Sequence, residues 1–175
     1  MCGIFGAFNA NIDEDLAGRC LDRLSHRGPD DRGLWQEKGV TLGHRRLAIL
    51  DLSQKGHQPM FYADSRYVLV YNGEIYNFLE LRKELEGKGY SFESDSDSEV
   101  LLASFLCWGE DCLPKFNGMW AFLLYDREKE RLFMSRDRFG IKPLYYTKLK
   151  GGDDSYAFAS EMKALMPLLD EVKPN

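Results

Sequence analysis

The second half of the chain confines the fold more tightly than any other feature. Residues 119–125, 131–136, 144–148 and 156–160 are short runs in which apolar and aromatic side chains recur, and short polar turns at 126–130 and 151–155 join them in pairs. Strands spaced this closely pair antiparallel, because a parallel crossover needs a dozen or more residues. Upstream, strands are expected at 2–8, 33–36, 40–45, 47–52 and 67–71. The last of these is expected to end in a turn at Asn72-Gly73, a pair suited to positive φ.

Helical spacing appears at Leu16, Cys20, Leu21 and Leu24, and again at Ile75, Phe78, Leu79 and Leu85 before Gly87 and Gly89 close the run. Ser96-Asp97-Ser98-Glu99 has the spacing of a capping box ahead of the apolar run 100–108, which places Asp97 in the first helical turn. A last helix is expected over 161–169. Strands and helices come in clusters rather than in strict alternation, so the fold class is α+β and not a doubly wound parallel sheet.

No repeat or Pro/Gly/Ser linker divides the 175 residues, so one domain is expected. With 23 Lys and Arg against 28 Asp and Glu, and no basic block, a nucleic-acid partner is not expected. The longest apolar runs are far short of the ~20 residues of a membrane span, and no basic segment precedes the first one as in a secretory signal. Four cysteines and three histidines lack the spacing of a metal site. A reducing, cytoplasmic setting is the simplest one.

Cys2 stands apart, because removal of Met1 would put a thiol and a free α-amine on one Cα. That amine titrates near ~7.7–8.0 and can take the thiol proton. Taken alone, Cys2 is explained better as a small buried residue at a strand end. Asn72-Gly73 could aim a side-chain amide and a backbone N–H at a developing oxyanion, or be a plain turn. Arg46 offers a fork for a carboxylate and Asp97 a charge for an ammonium, yet either could be an ordinary surface or capping residue.

Nine segments shift these odds together: Met-Cys-Gly-Ile-Phe-Gly at 1–6, His-Arg-Gly-Pro-Asp at 26–30, Gly-His-Arg-Arg-Leu-Ala-Ile-Leu-Asp at 43–51, Gln-Pro-Met at 58–60, Tyr-Asn-Gly-Glu-Ile-Tyr-Asn at 71–77, Ser-Asp-Ser-Glu at 96–99, Phe-Asn-Gly-Met-Trp-Ala-Phe at 116–122, Ser-Arg-Asp-Arg-Phe-Gly-Ile-Lys-Pro-Leu-Tyr-Tyr at 135–146 and Phe-Ala-Ser-Glu-Met-Lys-Ala-Leu at 158–165. In this order the chain resembles the glutaminase domain of class II glutamine amidotransferases, within them the asparagine synthetase branch. The resemblance implies an N-terminal nucleophile hydrolase fold, a four-layer αββα sandwich of two antiparallel sheets. It also implies hydrolysis of L-glutamine through a γ-glutamyl thioester on Cys2, with Asn72 and Gly73 as oxyanion donors and Arg46 as the clamp on the substrate α-carboxylate. Glu74 and Asp97 would orient the α-ammonium group, and Leu47, Ala48, Ile49 and Leu50 would line the substrate. With Met1 in place, the sequence is the inactive precursor.

The same resemblance implies a synthetase domain in cis, which would use ATP and Mg²⁺, while the glutaminase part needs no metal or cofactor. Residues 1–175 then look like a glutaminase domain cut short at its C-terminal end, and a homodimer is possible. Two alternatives stay open: the same chemistry serving a sugar or peptide carboxylate, or an inactive interaction module. His26, His44 and His57 are expected to be structural, and Cys107 and Cys112 to be core or partly exposed thiols. The Lys-Gly-Gly-Asp-Asp-Ser segment at 150–155 is not a pyrophosphate loop, since it lacks the first Ser of that motif and lies between two short strands. The Gly-Ile-Lys-Pro segment inside 136–146 is expected to be a shaped loop on an ammonia route or a domain interface.

Overall fold

The structure is a computed structural model that describes residues 1–48, 54–150, 152 and 154–170. Among the described residues, nine strands form two antiparallel sheets. The first sheet contains β1 (Gly3–Phe8), β2 (Asp31–Glu37), β3 (Val40–Arg46), β8 (Tyr145–Lys148) and β9 (Tyr156–Ala159), in the order β2-β3-β1-β9-β8. The second contains β4 (Met60–Tyr62), β5 (Tyr67–Ile75), β6 (Gly118–Asp126) and β7 (Arg131–Arg136), in the order β4-β5-β6-β7. The helices are α1 (Glu14–Asp22), α2 (Phe78–Glu86), α3 (Asp97–Trp108) and α4 (Met162–Leu165), with a short 3₁₀ turn over Met166–Leu168 after α4.

Strand periodicity explains the layering. In β6, Ala121, Leu123 and Tyr125 face one way and pack with Ile4, Leu42, Val68, Val70 and Phe158 between the sheets. Trp120, Phe122 and Leu124 face the other way and pack beneath Leu81 and Leu85 of α2 and Val100–Ala103 of α3. A strand covered on both faces has no polar side, which is why 119–125 reads as a continuous apolar run. On the first sheet, Phe5, Ala7, Ala157 and Ala159 pack against Ala17, Cys20 and Leu21 of α1 and Ala164 and Leu165 of α4. Three apolar layers separate two helical layers and two sheets, which makes the αββα sandwich. A fully buried leucine or phenylalanine, such as Leu21 or Phe5, contributes roughly 1.5–3 kcal/mol.

The antiparallel strands, α1 and the short closing helix fall where the sequence places them. Four expectations are corrected. Asn72-Gly73 is no turn: both residues lie inside β5, opposite Ala121 and Trp120 of β6, and the chain turns only at Tyr76 and Asn77. Ile75, taken as helical, is therefore the last residue of β5. Gly73 is needed for packing instead, since a Cβ there would sit 2.4 Å from the Tyr71 ring and 2.5 Å from the Met119 carbonyl oxygen.

The strand expected at 47–52 is not continuous with β3. That strand ends at Arg46, Leu47 and Ala48 are not in a strand, and 49–53 lie outside the described residues. The capping box is half made. Ser96 caps α3 by accepting from the Ser98 N–H at 3.1 Å, but Glu99 bonds the N–H groups of Glu93 and Ser94 rather than that of Ser96. Finally, β4, only three residues long, carries no periodicity that the sequence reading could register.

Candidate active site

Cys2 sits where β1 begins, partly exposed, and its backbone is held from a distance. Arg27 donates from Nε to the Cys2 carbonyl oxygen at 2.9 Å and from Nη1 to Glu161 Oε1 at 2.9 Å. Glu161, just ahead of α4, also meets His26 Nε2 at 2.9 Å and Lys163 Nζ at 3.2 Å. Burial alone would raise the Glu161 carboxyl, but hydrogen bonds from Arg27, His26 and Lys163 outweigh it and hold it at about 2. The Cys2 thiol lies against Leu47, whose N–H points to Sγ at 3.4 Å and whose carbonyl oxygen is 3.7 Å away.

The thiol opens onto a cavity of about 200 Å³ walled by parts of both sheets and the start of α3. From β3 come His44 and Arg46, two residues apart on one face of the strand. Arg46 is buried and its guanidinium passes so close to Gly56 that a Cβ there would lie 2.2 Å from Nη2. From β5 come Tyr71, Asn72, Gly73 and Glu74, and from the α3 terminus Ser96, Asp97 and Ser98.

Two polar groups in this wall are unusual. Asn72 is only 2% exposed, yet among the described residues its Nδ2 has no hydrogen-bond partner. An unsatisfied buried donor costs ~1–3 kcal/mol, and such exceptions concentrate where a ligand or reacting atom supplies the missing acceptor. Asp97 is the second. Its Oδ2 accepts from the Tyr71 hydroxyl at 2.8 Å and the Ile75 N–H at 3.0 Å. Burial nevertheless raises its carboxyl above the ordinary range, the Glu74 charge adds to the rise, and among the described residues no cation pairs with it.

His44 is buried and spans the sandwich, with Nε2 3.2 Å from the Tyr71 carbonyl oxygen in the opposite sheet. Burial lowers its pKa to about 3, so the ring is neutral and donates to that carbonyl. It is structural, as the sequence suggested. His26 pairs with Glu161, and His57 meets Asp31 at 2.7 Å through Nδ1, off the cavity wall. Cys20 and Cys112 are buried, and burial pushes their thiols up to about 11 and about 12, far from a reactive thiolate.

Of the residues singled out in the sequence, Cys2, Arg46, Leu47, Asn72, Gly73, Glu74 and Asp97 meet in this cavity. Ala48 does not line it; its N–H bonds Asp30 Oδ2 at 2.9 Å. Ile49 and Leu50 lie outside the described residues. Gln58, Ser98, Met119 and Lys142 also line the cavity and were not singled out. Gln58 accepts from the Tyr71 N–H at 2.6 Å and fixes the strand beneath the site. All four sit in segments that carry the family resemblance, and that was the one signal available for them.

A family model described as the glutamine amidotransferase domain matches residues 1–174. The chain belongs to this family. Among curated relatives, an asparagine synthetase (glutamine-hydrolyzing) of Bacillus subtilis is 44% identical over 99% of the chain and 28% of its own length. Asparagine synthetase B (glutamine-hydrolyzing) of Escherichia coli is 41% identical over 99% of the chain and 31% of its own length. The amidotransferase domain thus spans about three-tenths of the relatives it matches. A solved structure of glutamine phosphoribosylpyrophosphate amidotransferase from B. subtilis superposes with a TM-score of 0.79 at 23% identity, covering 95% of this chain and 43% of that one. At that identity the likeness shows the fold alone, the αββα sandwich of two antiparallel sheets.

Proposed function

We propose that the domain hydrolyses L-glutamine through a thioester on Cys2 and supplies the ammonia for asparagine formation from aspartate. The observation that carries the reading is the meeting, in one cavity, of the Cys2 thiol, the partnerless Asn72 amide and the Arg46 and Asp97 charges. Free glutamine is a zwitterion. Arg46 would clamp its α-carboxylate and Asp97, with Glu74, its α-ammonium, which leaves the side-chain amide to reach Cys2. The cation supplied by the substrate is what the buried Asp97 carboxylate lacks.

The chemistry follows from the positions. Cys2 sulfur bonds to the amide carbon while the carbonyl π pair moves onto oxygen, where Asn72 Nδ2 and the Gly73 N–H receive it. The C–N bond then breaks, and the nitrogen leaves as ammonia with the proton that the α-amine took from the thiol. Water adds to the thioester, the C–S bond breaks, and glutamate departs. The α-amine exists only after Met1 is removed. In the precursor the Cys2 nitrogen is an amide and Met1 stands at the cavity wall.

The relatives are named for glutamine-dependent asparagine synthesis, which favours aspartate over a sugar or peptide acceptor. Their additional length fits a synthetase domain in cis, to which ATP and Mg²⁺ would belong, with no cofactor assigned to the glutaminase part. Among the described residues no helix is long and apolar enough to cross a membrane. We place the protein in the cytoplasm. Intact-mass analysis with and without 6-diazo-5-oxonorleucine tests the mechanism: loss of Met1 and one adduct, absent in Cys2→Ala, is the expected result. Retained Met1, or equal labelling of Cys2→Ala, overturns it.

A further inference from the structure

We propose that Lys142 is a catalytic residue of this cleft, a cation set beside the Asn72 and Gly73 donors to stabilise the anionic tetrahedral adduct on Cys2. The inference rests on the thioester reading above. Lys142 is 7% exposed and lines the cavity together with Cys2, Asn72, Gly73 and Met119. Among the described residues its Nζ has neither a hydrogen-bond acceptor nor an ion-pair partner. Glu74 and Asp97 share the cavity but do not pair with it. Unlike Asn72 Nδ2, its Nζ is not sealed from solvent, so the ammonium opens into the cleft that the substrate would enter.

The loop before Lys142 is built to hold it there. Asp137 accepts four backbone N–H groups: Trp120 at 3.2 Å, Phe139 at 3.1 Å, Ile141 at 2.9 Å and Lys142 itself at 2.9 Å. Arg136 donates to the Gly140 carbonyl at 2.7 Å and the Lys142 carbonyl at 2.9 Å, and so closes the loop on its own stem. Gly140 takes φ +64, and a Cβ there would lie 2.6 Å from Arg136 Nη2. Asp137 thereby links the Lys142 backbone to Trp120, which is the β6 partner of Gly73. Lys142 thus lies in the loop after β7 and is tied to β6, the strand paired with the one that carries Gly73. Arg46 enters from β3, beside Gly56, and serves the other end of the substrate.

In this scheme no proton passes through Lys142. As the C–S bond forms, the π pair of the carbonyl moves to oxygen and meets the ammonium charge; it returns when the C–N bond breaks. A group that acts on this charge strengthens in the transition state, so it raises kcat rather than lowering KM.

The test uses the full chain after Met1 removal, with glutamate release as the assay and glutamate γ-semialdehyde, which forms a hemithioacetal with a thiol, as the adduct mimic. Lys142→Met is expected to lower kcat by about 30- to 100-fold with KM changed less than about threefold, and to weaken the aldehyde by a similar factor. Lys142→Arg should retain most of the activity, and ethylammonium should partly restore Lys142→Ala. A raised KM at unchanged kcat, unaltered aldehyde affinity, or loss of activity in Lys142→Ala that ethylammonium does not relieve overturns the proposal. A wild-type protein that neither turns over glutamine nor labels at Cys2 overturns the thioester reading itself, a result visible before any Lys142 variant is made.

Discussion

Arg27 binds the main chain of Cys2 with one face of its guanidinium and the carboxylate of Glu161 with the other, at 2.9 Å each. The nucleophile is thus positioned by a residue 25 places away, which is itself anchored by the segment that begins α4. In a thioester mechanism the sulfur must approach the amide carbon within a few tenths of an ångström, so loosening this anchor reduces rate more than binding.

Glu161→Gln tests that coupling in two ways. The kcat for glutamine hydrolysis is expected to fall about tenfold, equivalent to ~1.4 kcal/mol, with KM little changed. The carboxyl is held near 2 in the folded chain against an ordinary 4.5, so its stabilisation is present above 4.5 and is lost as pH falls through about 2. Urea midpoints should therefore separate wild type from variant at pH 7 and converge below pH 4.5. A gap that stays constant across that window would remove the ion cluster from the account.

Asn72→Ala separates function from stability. The amide donor has no partner to lose, so its removal should cost less than about 1 kcal/mol in denaturation, below the usual toll for truncating a bonded buried group. Turnover should fall by about 10²–10³, as expected for loss of one oxyanion donor. Steady-state kinetics and thermal melts on the same preparation check both halves.

The contrast between Asn72 and Lys142 shows what the sequence could carry. Short apolar runs joined by short polar turns made the antiparallel sheets legible, because both signals act within ten residues. It misread Asn72-Gly73 as a turn, since a pair with high turn preference can be held in a strand when its neighbours leave space only for glycine. The chemistry of Cys2, Arg46 and Asp97 was legible only through family resemblance, as their meeting depends on contacts between segments tens of residues apart. Lys142 lay in a matched segment but carried no local mark, because its burial and lack of a partner are properties of the folded cleft.

Gly73→Ala is expected to be damaging for steric reasons, not conformational ones. Its Cβ would meet the Tyr71 ring at 2.4 Å and a backbone oxygen of Met119 at 2.5 Å, and the latter cannot rotate away. Overpacking of this kind costs ~1–3 kcal/mol, or roughly 2–12 °C in Tm for a domain of this size. Because Tyr71 also holds Asp97 through its hydroxyl, glutamine KM should rise as well. A variant that melts with wild type would show that β5 and β6 have more room than their register implies.

The last expectation concerns acid. His44 crosses between the sheets as a neutral ring, held at about 3 against an ordinary 6.5 by burial, with His57 and Arg46 adding to the fall and the Tyr71 carbonyl and Asp31 opposing it. The unfolded chain therefore binds a proton in the range 3–6.5 that the folded chain refuses. Stability must rise with pH through that interval and be lost as pH falls from 6.5 toward 3, with a slope from this group of at most ~1.4 kcal/mol per pH unit. Glutamine at position 44 can still donate to the Tyr71 carbonyl but does not titrate. His44→Gln should thus flatten the stability profile between pH 6 and pH 4, measured by urea denaturation at half-unit steps. The carboxylates that also destabilise the fold in acid, Glu161, Asp126 and Asp137, have depressed pKa values and act at lower pH. An unchanged slope in the variant would mean that the ring is already protonated in the folded sandwich, and that the bridge to Tyr71 is an ionic one.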